Sequence, residues 1–595
     1  MKTDNYPLKV NYQHACKRKN IYPKGIGLNL NNGKIIILLI WLSVYYGVVA
    51  GQNNTLAKPG EFQYQWHEQE RLMFVCLDPC TWQGREYDNH STALSRINPT
   101  LLSTDQWCEV AKSWGAKEIL FVAKHTGGFC WWQTQSSDYS IRNTPYQNGK
   151  GDVLKDLSVS CKKAGLNLGI YVYPGDDTWG AGIGSGGKTA DPSKQEGYNK
   201  VFRQQLTEVL SRYGKIMEVW FDGSCVIDIN DVLDKYASRS VILQGPKANL
   251  RWPGTESGKL YYPAWNSLKS SALKTGISTQ YDDDPDGDAW APLESDVPLY
   301  NHNWFWSAAN ESKRRSLEEL MDIYYKSVGY GGVLLLNSTP DTTGLIPAGD
   351  VKRYLEFGNE IKHRFGNPLV IKQNFQGDHL EISLKEPTEI NHVVVMEDYR
   401  LGHRIREYHV EGLIGNEWKL LSKGSAVGRM KIDPFETVKV SQVRLQITKN
   451  AGAPVIRSLA FFNVQNYQFK PEVYATNEWK LCGTWDTKSF VKGVSELTID
   501  LSPFITKPGQ YEVAFTVSVA VTGMHVEKAE IFFDNDNLTQ QTFIQRKEKT
   551  NNFYINRTAQ VAKGSSSILK VRMISNNTVF QNKGEIKIRE RSLGN

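Results

Sequence analysis

Cysteine is scarce in this chain, with eight among 595 residues. After Cys16 come Cys76, Cys80, Cys108, Cys130, Cys161, Cys225 and Cys482, an odd and sparse set in mostly apolar surroundings, which excludes a disulfide framework. Spacing leaves open a Cys76–Cys80 or Cys76–Cys130 bridge. No pair has companion histidines at zinc-finger spacing, so no metal site is expected. Long apolar runs are also missing beyond residues 35–50 (IIILLIWLSVYYGVVA). A one-sided charge balance is missing as well. The formal charge is +7, but seven basic residues lie in the first 50 against the single acid Asp4. The remaining chain carries 63 basic and 62 acidic residues, which leaves no excess to neutralise nucleic-acid phosphates.

The first 50 residues have the order of an export signal: a basic lead, sixteen apolar residues, and small residues at 48–50 before Gln52-Asn53-Asn54. Sixteen residues are short for a membrane span, so cleavage is expected and an uncleaved anchor is the alternative. No cysteine follows for lipid attachment. The body of the chain is therefore expected to be exported, periplasmic or secreted, with no membrane span once the signal is removed.

From 60 to 365 short apolar strands alternate with amphipathic helices. Residues 72–77 (LMFVCL), 118–124 (EILFVAK), 167–174 (NLGIYVYP), 216–223 (IMEVWFDG), 241–245 (VILQG) and 332–337 (GVLLLN) have the pattern of buried parallel strands. Residues 105–114, 151–164, 198–213 and 316–327 have the pattern of helices, with Asp105 and Asp152 as caps and Gly165 and Gly214 as stops. This is the alternation of a (β/α)8 barrel, with strands six and seven unplaced. Thirteen of the 17 tryptophans fall between Trp66 and Trp306, inside the barrel segment. Beyond Gly366 the helical period gives way to alternating β-branched and polar residues, predicting one β-sandwich over 366–465 and a second over 474–595. The fold class is α/β, a (β/α)8-like barrel followed by two all-β sandwich domains.

Two motifs are accidental. Residues 182–189 (GIGSGGKT) match the phosphate-loop pattern, yet Asp176-Asp177-Thr178-Trp179 precede them and Asp191-Pro192 follow, so a loop over the barrel mouth is predicted. Residues 282–288 (DDDPDGD) start like a calcium loop, but its twelfth position is Leu293 and Glu294 comes one too late. The informative residues are isolated polar groups ending apolar strands: His125, Asp222 and Asn337. In a (β/α)8 enzyme the C-terminal strand ends form the active site. A helix cap would explain Asp222, except that Gly223-Ser224-Cys225 separates it from any helix.

Around these residues stand Lys124–Trp132 (KHTGGFCWW), Asp138-Tyr139-Ser140, Gly151-Asp152-Val153, Glu218–Gly223 (EVWFDG) and Trp290–Asp296 (WAPLESD). Over about residues 60–365 this set resembles glycoside hydrolase family 29, the α-L-fucosidases, and 366–465 resembles the discoidin-like sandwich often attached to them. The resemblance implies a retaining, exo-acting hydrolase working on an oligosaccharide or polysaccharide, without nucleotide, redox cofactor or catalytic metal. Structural calcium in the discoidin-like sandwich is the one ion it allows. It implies Asp222 as nucleophile and Glu294 as acid/base, where Trp290 and Pro292 shield the carboxyl and raise its pKa; Asp288 is the alternative acid. Sugar contacts are implied at Cys76, Glu86, Tyr87, His125, Thr126, Trp132, Tyr173, Trp220, Tyr300 and Trp304. Cys76 and Thr126 replace histidines, Tyr300 replaces an arginine, and Glu86-Tyr87 stands where a Glu-Trp pair is common. These departures predict room for an extra substituent on the ring. The expected substrate is a terminal α-L-fucoside or a close relative, α-L-galactoside or its 6-substituted or sulfated form. A carbohydrate-binding pseudoenzyme is the alternative of another class.

Overall fold

The computed structural model describes residues 56–471, apart from 274–275, and most strands between 473 and 593. The expected export segment at 1–50 lies outside the described residues. Among the described residues no helix is long and apolar enough to cross a membrane.

Seven parallel strands line the barrel: β1 (Arg71–Val75), β2 (Glu118–Lys124), β3 (Asn167–Val172), β4 (Glu218–Trp220), β5 (Val241–Leu243), β6 (Glu294–Val297) and β7 (Val333–Ser338). Their spatial order is β5-β4-β3-β2-β1-β7-β6. Two single bridges close the ring. Leu250 pairs in parallel with Leu243, and Arg251 in parallel with Leu293. Arg251 N donates to Pro292 O, and Glu294 N donates to Arg251 O, each at 2.9 Å. The missing sixth stave is thus a bridge segment at 249–251, too short to carry an apolar signature, and the missing seventh is β6, whose residues Glu-Ser-Asp-Val hide a buried strand behind polar letters.

Helices Thr104–Ser113, Val153–Ala164, Gln195–Arg212 and Leu317–Lys326 pack outside the ring near their predicted bounds. Asp152 caps its helix by accepting from Lys155 N, while Ser103 rather than Asp105 caps the first. The helix Ala348–Phe365 was not apparent in the sequence because Gly349 and Gly358 interrupt its apolar stripe. Gly358 lies against the chain at Ser113 and Trp114, where a Cβ would come within 2.3 Å of Ser113 O. All seven cysteines after Cys16 are free, so neither disulfide forms.

Among the described residues the only α-helix between β5 and β6 is the one-turn Ser270–Leu273. The excursion at 252–293 takes the place of a longer one, and Arg251 anchors it. The fully buried guanidinium donates to the carbonyls of Ala291 (2.9 Å), Thr279 (3.1 Å) and Trp265 (2.6 Å), and to Asp283 Oδ1 (2.7 Å). The acidic run is spent in the same way. Asp282 accepts from Thr279 N, Asp284 pairs with Lys269, Asp286 with Arg406, and Asp288 caps Ser270. Among the described residues no group of three or more His, Cys, Asp or Glu is arranged to hold a metal.

Beyond the barrel, six antiparallel strands between Val370 and Phe462 form a sheet built on two long strands, His379–Glu397 and Lys431–Asn450. Bulges near Ser383 and Ile390 bend the first of these over its own apolar core. This sheet is docked on the barrel. Glu68 accepts from Tyr399 Oη (2.6 Å) and Arg457 (2.8 Å), Glu70 accepts from Arg429 (3.0 Å), and Trp290 stacks on His403. Val394, Ile432, Ala460 and Phe462 belong to the same apolar cluster as the barrel helices. Two further antiparallel sheets follow between Val473 and Leu593.

Replacing Arg251 by Met should destabilise the fold by about 3–5 kcal/mol, because Asp283 and three carbonyls lose their donor in the interior. Arg251→Lys should recover only part of this, since one ammonium cannot reach the same set of acceptors. Chemical denaturation of the three proteins measures it.

Candidate active site

A cavity of about 270 Å³ opens at the C-terminal ends of the strands. Successive inward positions build it. β1 contributes Phe74 and, just beyond it, Cys76; β2 leads to Val122 and His125; β3 supplies Tyr171; β4 supplies Trp220 and leads to Asp222. Gln244 follows β5, Trp252 and Glu256 follow the bridge segment, and Asp296, His302, Trp304 and Phe305 come from β6 and its loop. Glu86 and Tyr87, after β1, complete the wall.

The floor is aromatic. Trp220 stacks on Tyr171 with centroids 5.4 Å apart, and Phe74 packs against both at 5.6 and 5.9 Å. Tyr171 Oη donates to Asp222 Oδ2 at 3.0 Å, aiming the carboxylate. Glu86 accepts from Trp304 N (2.7 Å) and Asn303 Nδ2 (3.0 Å), while Asn337 Nδ2 donates to Trp304 O (2.8 Å). Trp304 so fixed donates its indole N–H to Glu256 Oε2 at 3.2 Å. Trp252 Nε1 donates to Asp296 Oδ1 at 2.7 Å. Gln244 Oε1 accepts from Gly223 N, locking the turn behind Asp222.

The electrostatics separate the groups. Enclosure by protein raises the Asp222 pKa and the nearby charge of Glu256 adds to it, against the lowering effect of the Tyr171 hydroxyl. Asp296 is pushed well above its ordinary value by burial and then by the charge of Glu256, against the lowering effect of the Trp252 indole N–H. Burial lowers His125 to about 4, leaving a neutral imidazole stacked at 5.9 Å on Tyr87. The Cys76 thiol is held protonated by burial and by Glu86 and Asp78. Among the described residues no lysine or arginine lines the cavity.

Of the residues expected from sequence, the structure brings together Cys76, Glu86, Tyr87, His125, Trp220, Asp222 and Trp304. It places five elsewhere. Glu294 is the first residue of β6 rather than a loop residue, and its buried carboxylate lies behind Trp220, accepting the indole N–H at 2.8 Å. Thr126 turns away from the cavity, with Oγ1 3.5 Å from His125 Nδ1. Trp132 is buried and donates to Glu208 at 2.8 Å. Tyr173 Oη accepts from Gly184 N at 2.7 Å, which ties the glycine-rich loop 182–189 to the end of β3. Tyr300 is buried with its hydroxyl on Asp350 at 2.6 Å. The alternative acid, Asp288, is the exposed cap of Ser270. Glu256, Asp296, Trp252 and Tyr171 were missed. For Glu256 a signal existed: Trp252-Pro253-Gly254 is an aromatic turn ahead of an acid, the same type of shielded-carboxyl pattern that drew attention to Glu294.

A larger cavity, about 560 Å³, lies along the barrel side by helix Leu317–Lys326 and residues 467–471. Its Asp322 is already neutralised by Lys259 (2.5 Å) and Lys326 (2.6 Å), so it holds no free carboxyl pair of the kind at the barrel mouth.

A (β/α)8-type barrel with several carboxyls gathered at its C-terminal mouth is an arrangement suited to glycoside hydrolysis. The particular family follows from comparison with known proteins. The family model described as Alpha-L-fucosidase matches residues 46–364, and the chain belongs to this family, glycoside hydrolase family 29. It is 29% identical over 456 residues to "Alpha-L-fucosidase 1" of Arabidopsis thaliana, covering 68% of this chain and 88% of that protein. A crystal structure of a Bacteroides thetaiotaomicron protein provisionally assigned as an α-L-fucosidase is 31% identical, with a TM-score of 0.65, covering 69% of this chain and all of that one. A glycoside hydrolase family 29 member from an unknown rumen bacterium shares the fold over 91% of this chain and all of that one, with a TM-score of 0.62 at 24% identity.

Below the cavity, Glu118, Glu218 and Glu294 are buried together inside the ring. Burial first, and then their mutual charge for Glu118 and Glu218, raise all three pKa values; Lys215 partly offsets this at Glu118, and Asp296 is a further carboxyl close to Glu294. Each holds its proton to higher pH in the folded barrel than in the unfolded chain. Between the ordinary carboxylate range and the raised folded values the native state binds more protons, so stability falls as pH rises. The melting temperature should therefore fall from pH 5 to pH 8, and Glu218→Gln, which mimics the protonated acid, should flatten that slope.

Proposed function

We propose that the chain is an exported, exo-acting, retaining hydrolase that removes a terminal α-L-fucosyl residue, or a closely related uncharged L-sugar, from a glycan. Asp222 is the nucleophile and Glu256, rather than Glu294, is the acid/base. The observation that carries this is the sharing of one small cavity by Asp222 and Glu256, with Glu256 close enough for its charge to raise the Asp222 pKa. Asp222 sits on a rigid strand end, aimed by Tyr171, as a group attacking an anomeric carbon must be. Glu256 is an exposed residue at the cavity mouth, where a leaving glycan departs and water enters, and its hydrogen bond to Trp304 holds it in place.

In the first step an Asp222 oxygen bonds to the anomeric carbon as the bond to the leaving oxygen breaks, and Glu256 gives that oxygen a proton. In the second, Glu256 takes a proton from water, whose oxygen displaces Asp222. Asp296 and neutral His125 offer hydrogen bonds to ring hydroxyls, and the Phe74, Tyr171 and Trp220 faces pack the apolar side of the ring. Among the described residues four carboxyl side chains (Glu86, Asp222, Glu256 and Asp296) and no lysine or arginine line the cavity, which speaks for a neutral sugar and against a sulfate on the ring.

Asp222→Asn should abolish turnover of aryl α-L-fucoside. Glu256→Ala should slow poor leaving groups by at least about 100-fold while sparing activated aryl leaving groups, with azide restoring rate as glycosyl azide of retained configuration. Equal loss on all leaving groups, with no rescue, would remove Glu256 from this role. Cys76 is the one departure from the family pattern among Cys76, Thr126 and Tyr300 that reaches the cavity. Cys76→His should therefore reduce kcat/KM for α-L-galactoside more than for α-L-fucoside, and an unchanged ratio would place the ring substituent elsewhere.

A further inference from the structure

Glu294 and Glu218 occupy the interior of the ring one layer beneath the cavity, 1% and 0% exposed. Trp220 Nε1 donates to Glu294 Oε2 and Trp66 Nε1 to Glu218 Oε2, both at 2.8 Å. The remaining oxygen of each finds no hydrogen-bond partner among the described residues, and the two carboxyls lie close enough for the charge of Glu294 to raise the Glu218 pKa. Two bare carboxylates so placed would repel, so burial and mutual charge favour the protonated form. Space is reserved for the cluster: a Cβ on Gly169 would lie 2.5 Å from Glu118 Oε1 and 3.3 Å from Glu218 Cβ. Stability alone does not call for this arrangement, because a buried ionic pair is often replaceable by apolar side chains of similar volume at no loss.

What the pair holds is the pocket floor. The indole N–H of Trp220 has Glu294 as its acceptor, the indole face stacks on Tyr171, and the Tyr171 hydroxyl bonds Asp222 Oδ2 at 3.0 Å. We propose that Glu294, backed by Glu218, is a positioning residue that sets the orientation of Trp220 and, through Tyr171, of the Asp222 carboxylate. The inference rests on Asp222 being the nucleophile. The pair touches no substrate. It acts by giving the indole one orientation, and burial with the neighbouring carboxyls raises the pKa of both acids.

The test compares Glu294→Gln, Glu294→Leu and Trp220→Phe in the full chain. The Gln oxygen still accepts from Trp220 and its amide donates to Glu218, so kcat/KM should stay within about threefold of the parent enzyme. Leu strands the indole N–H, and kcat/KM should fall by about 100-fold, mainly in kcat, equally for good and poor leaving groups and without azide rescue. Trp220→Phe removes the same hydrogen bond from the other side. Its loss should not add to that of Glu294→Leu in the double variant, and this cycle decides the matter if Glu294→Leu folds poorly alone. A Glu294→Leu enzyme with parental kinetics, or fully additive losses, would overturn the proposal. A loss confined to poor leaving groups and rescued by azide would instead make Glu294 the acid/base and displace Glu256. Activity surviving in Asp222→Asn would separately remove the nucleophile assignment.

Discussion

The pairing of residues 250–251 with β5 on one side and with 293–294 on the other is the constraint on which the rest depends. Two bridges stand in for a whole strand, and the buried Arg251 guanidinium supplies the hydrogen bonds that a longer strand would have made. Everything decisive about the site flows from that closure. Residues after Arg251 leave the ring at its C-terminal end, which carries Trp252 and Glu256 to the mouth. Residues after Leu293 re-enter at its N-terminal end, which puts Glu294 inside the ring and Asp296, two positions on, at the cavity. One register thus sorts three nearby acids into a mouth, an interior and a wall position.

The cavity owes its chemistry to enclosure more than to charge pairing. Among the described residues no cation lines it, so its acids are tuned by burial, by one another and by aromatic N–H and O–H donors. Such donors orient a carboxylate without neutralising it, while enclosure and the charge of Glu256 raise the pKa of both Asp222 and Asp296. A neutral His125 and a protonated Cys76 add uncharged hydrogen-bonding groups suited to sugar hydroxyls.

The β-sheet following the barrel is part of the same packing problem. Glu68 and Glu70, on the turn that feeds β1, are held by Arg457, Tyr399 and Arg429 from the sheet, and Trp290 of the excursion is sandwiched against His403 and Tyr399. The excursion that delivers Glu256 is therefore clamped from inside by Arg251 and from outside by the sheet. Apolar residues of the sheet share the cluster of the barrel helices, which gives this region a structural duty whatever else it binds.

Sequence alone determined much of this protein. Apolar runs such as EILFVAK and IMEVWFDG announce buried parallel strands, because a strand covered on both faces is mostly apolar, and the isolated Asp222 at such a strand end marks the mouth of the ring. The helix-to-strand change of period near Gly366 marks where the barrel gives way to all-β structure. Tertiary structure alone decided which second carboxyl meets Asp222. Glu256 and Glu294 both follow a Trp and a Pro and both look like shielded loop acids. They differ only in which end of the ring their segments meet, a property of long-range register set by two bridges with no local signature. For the same reason Thr126, Trp132, Tyr173 and Tyr300 were assigned to the sugar from their place in the chain. A side chain's direction at a strand end depends on the turn that follows and on the partners it finds, here His125, Glu208, Gly184 and Asp350, and these lie from one to 76 residues away.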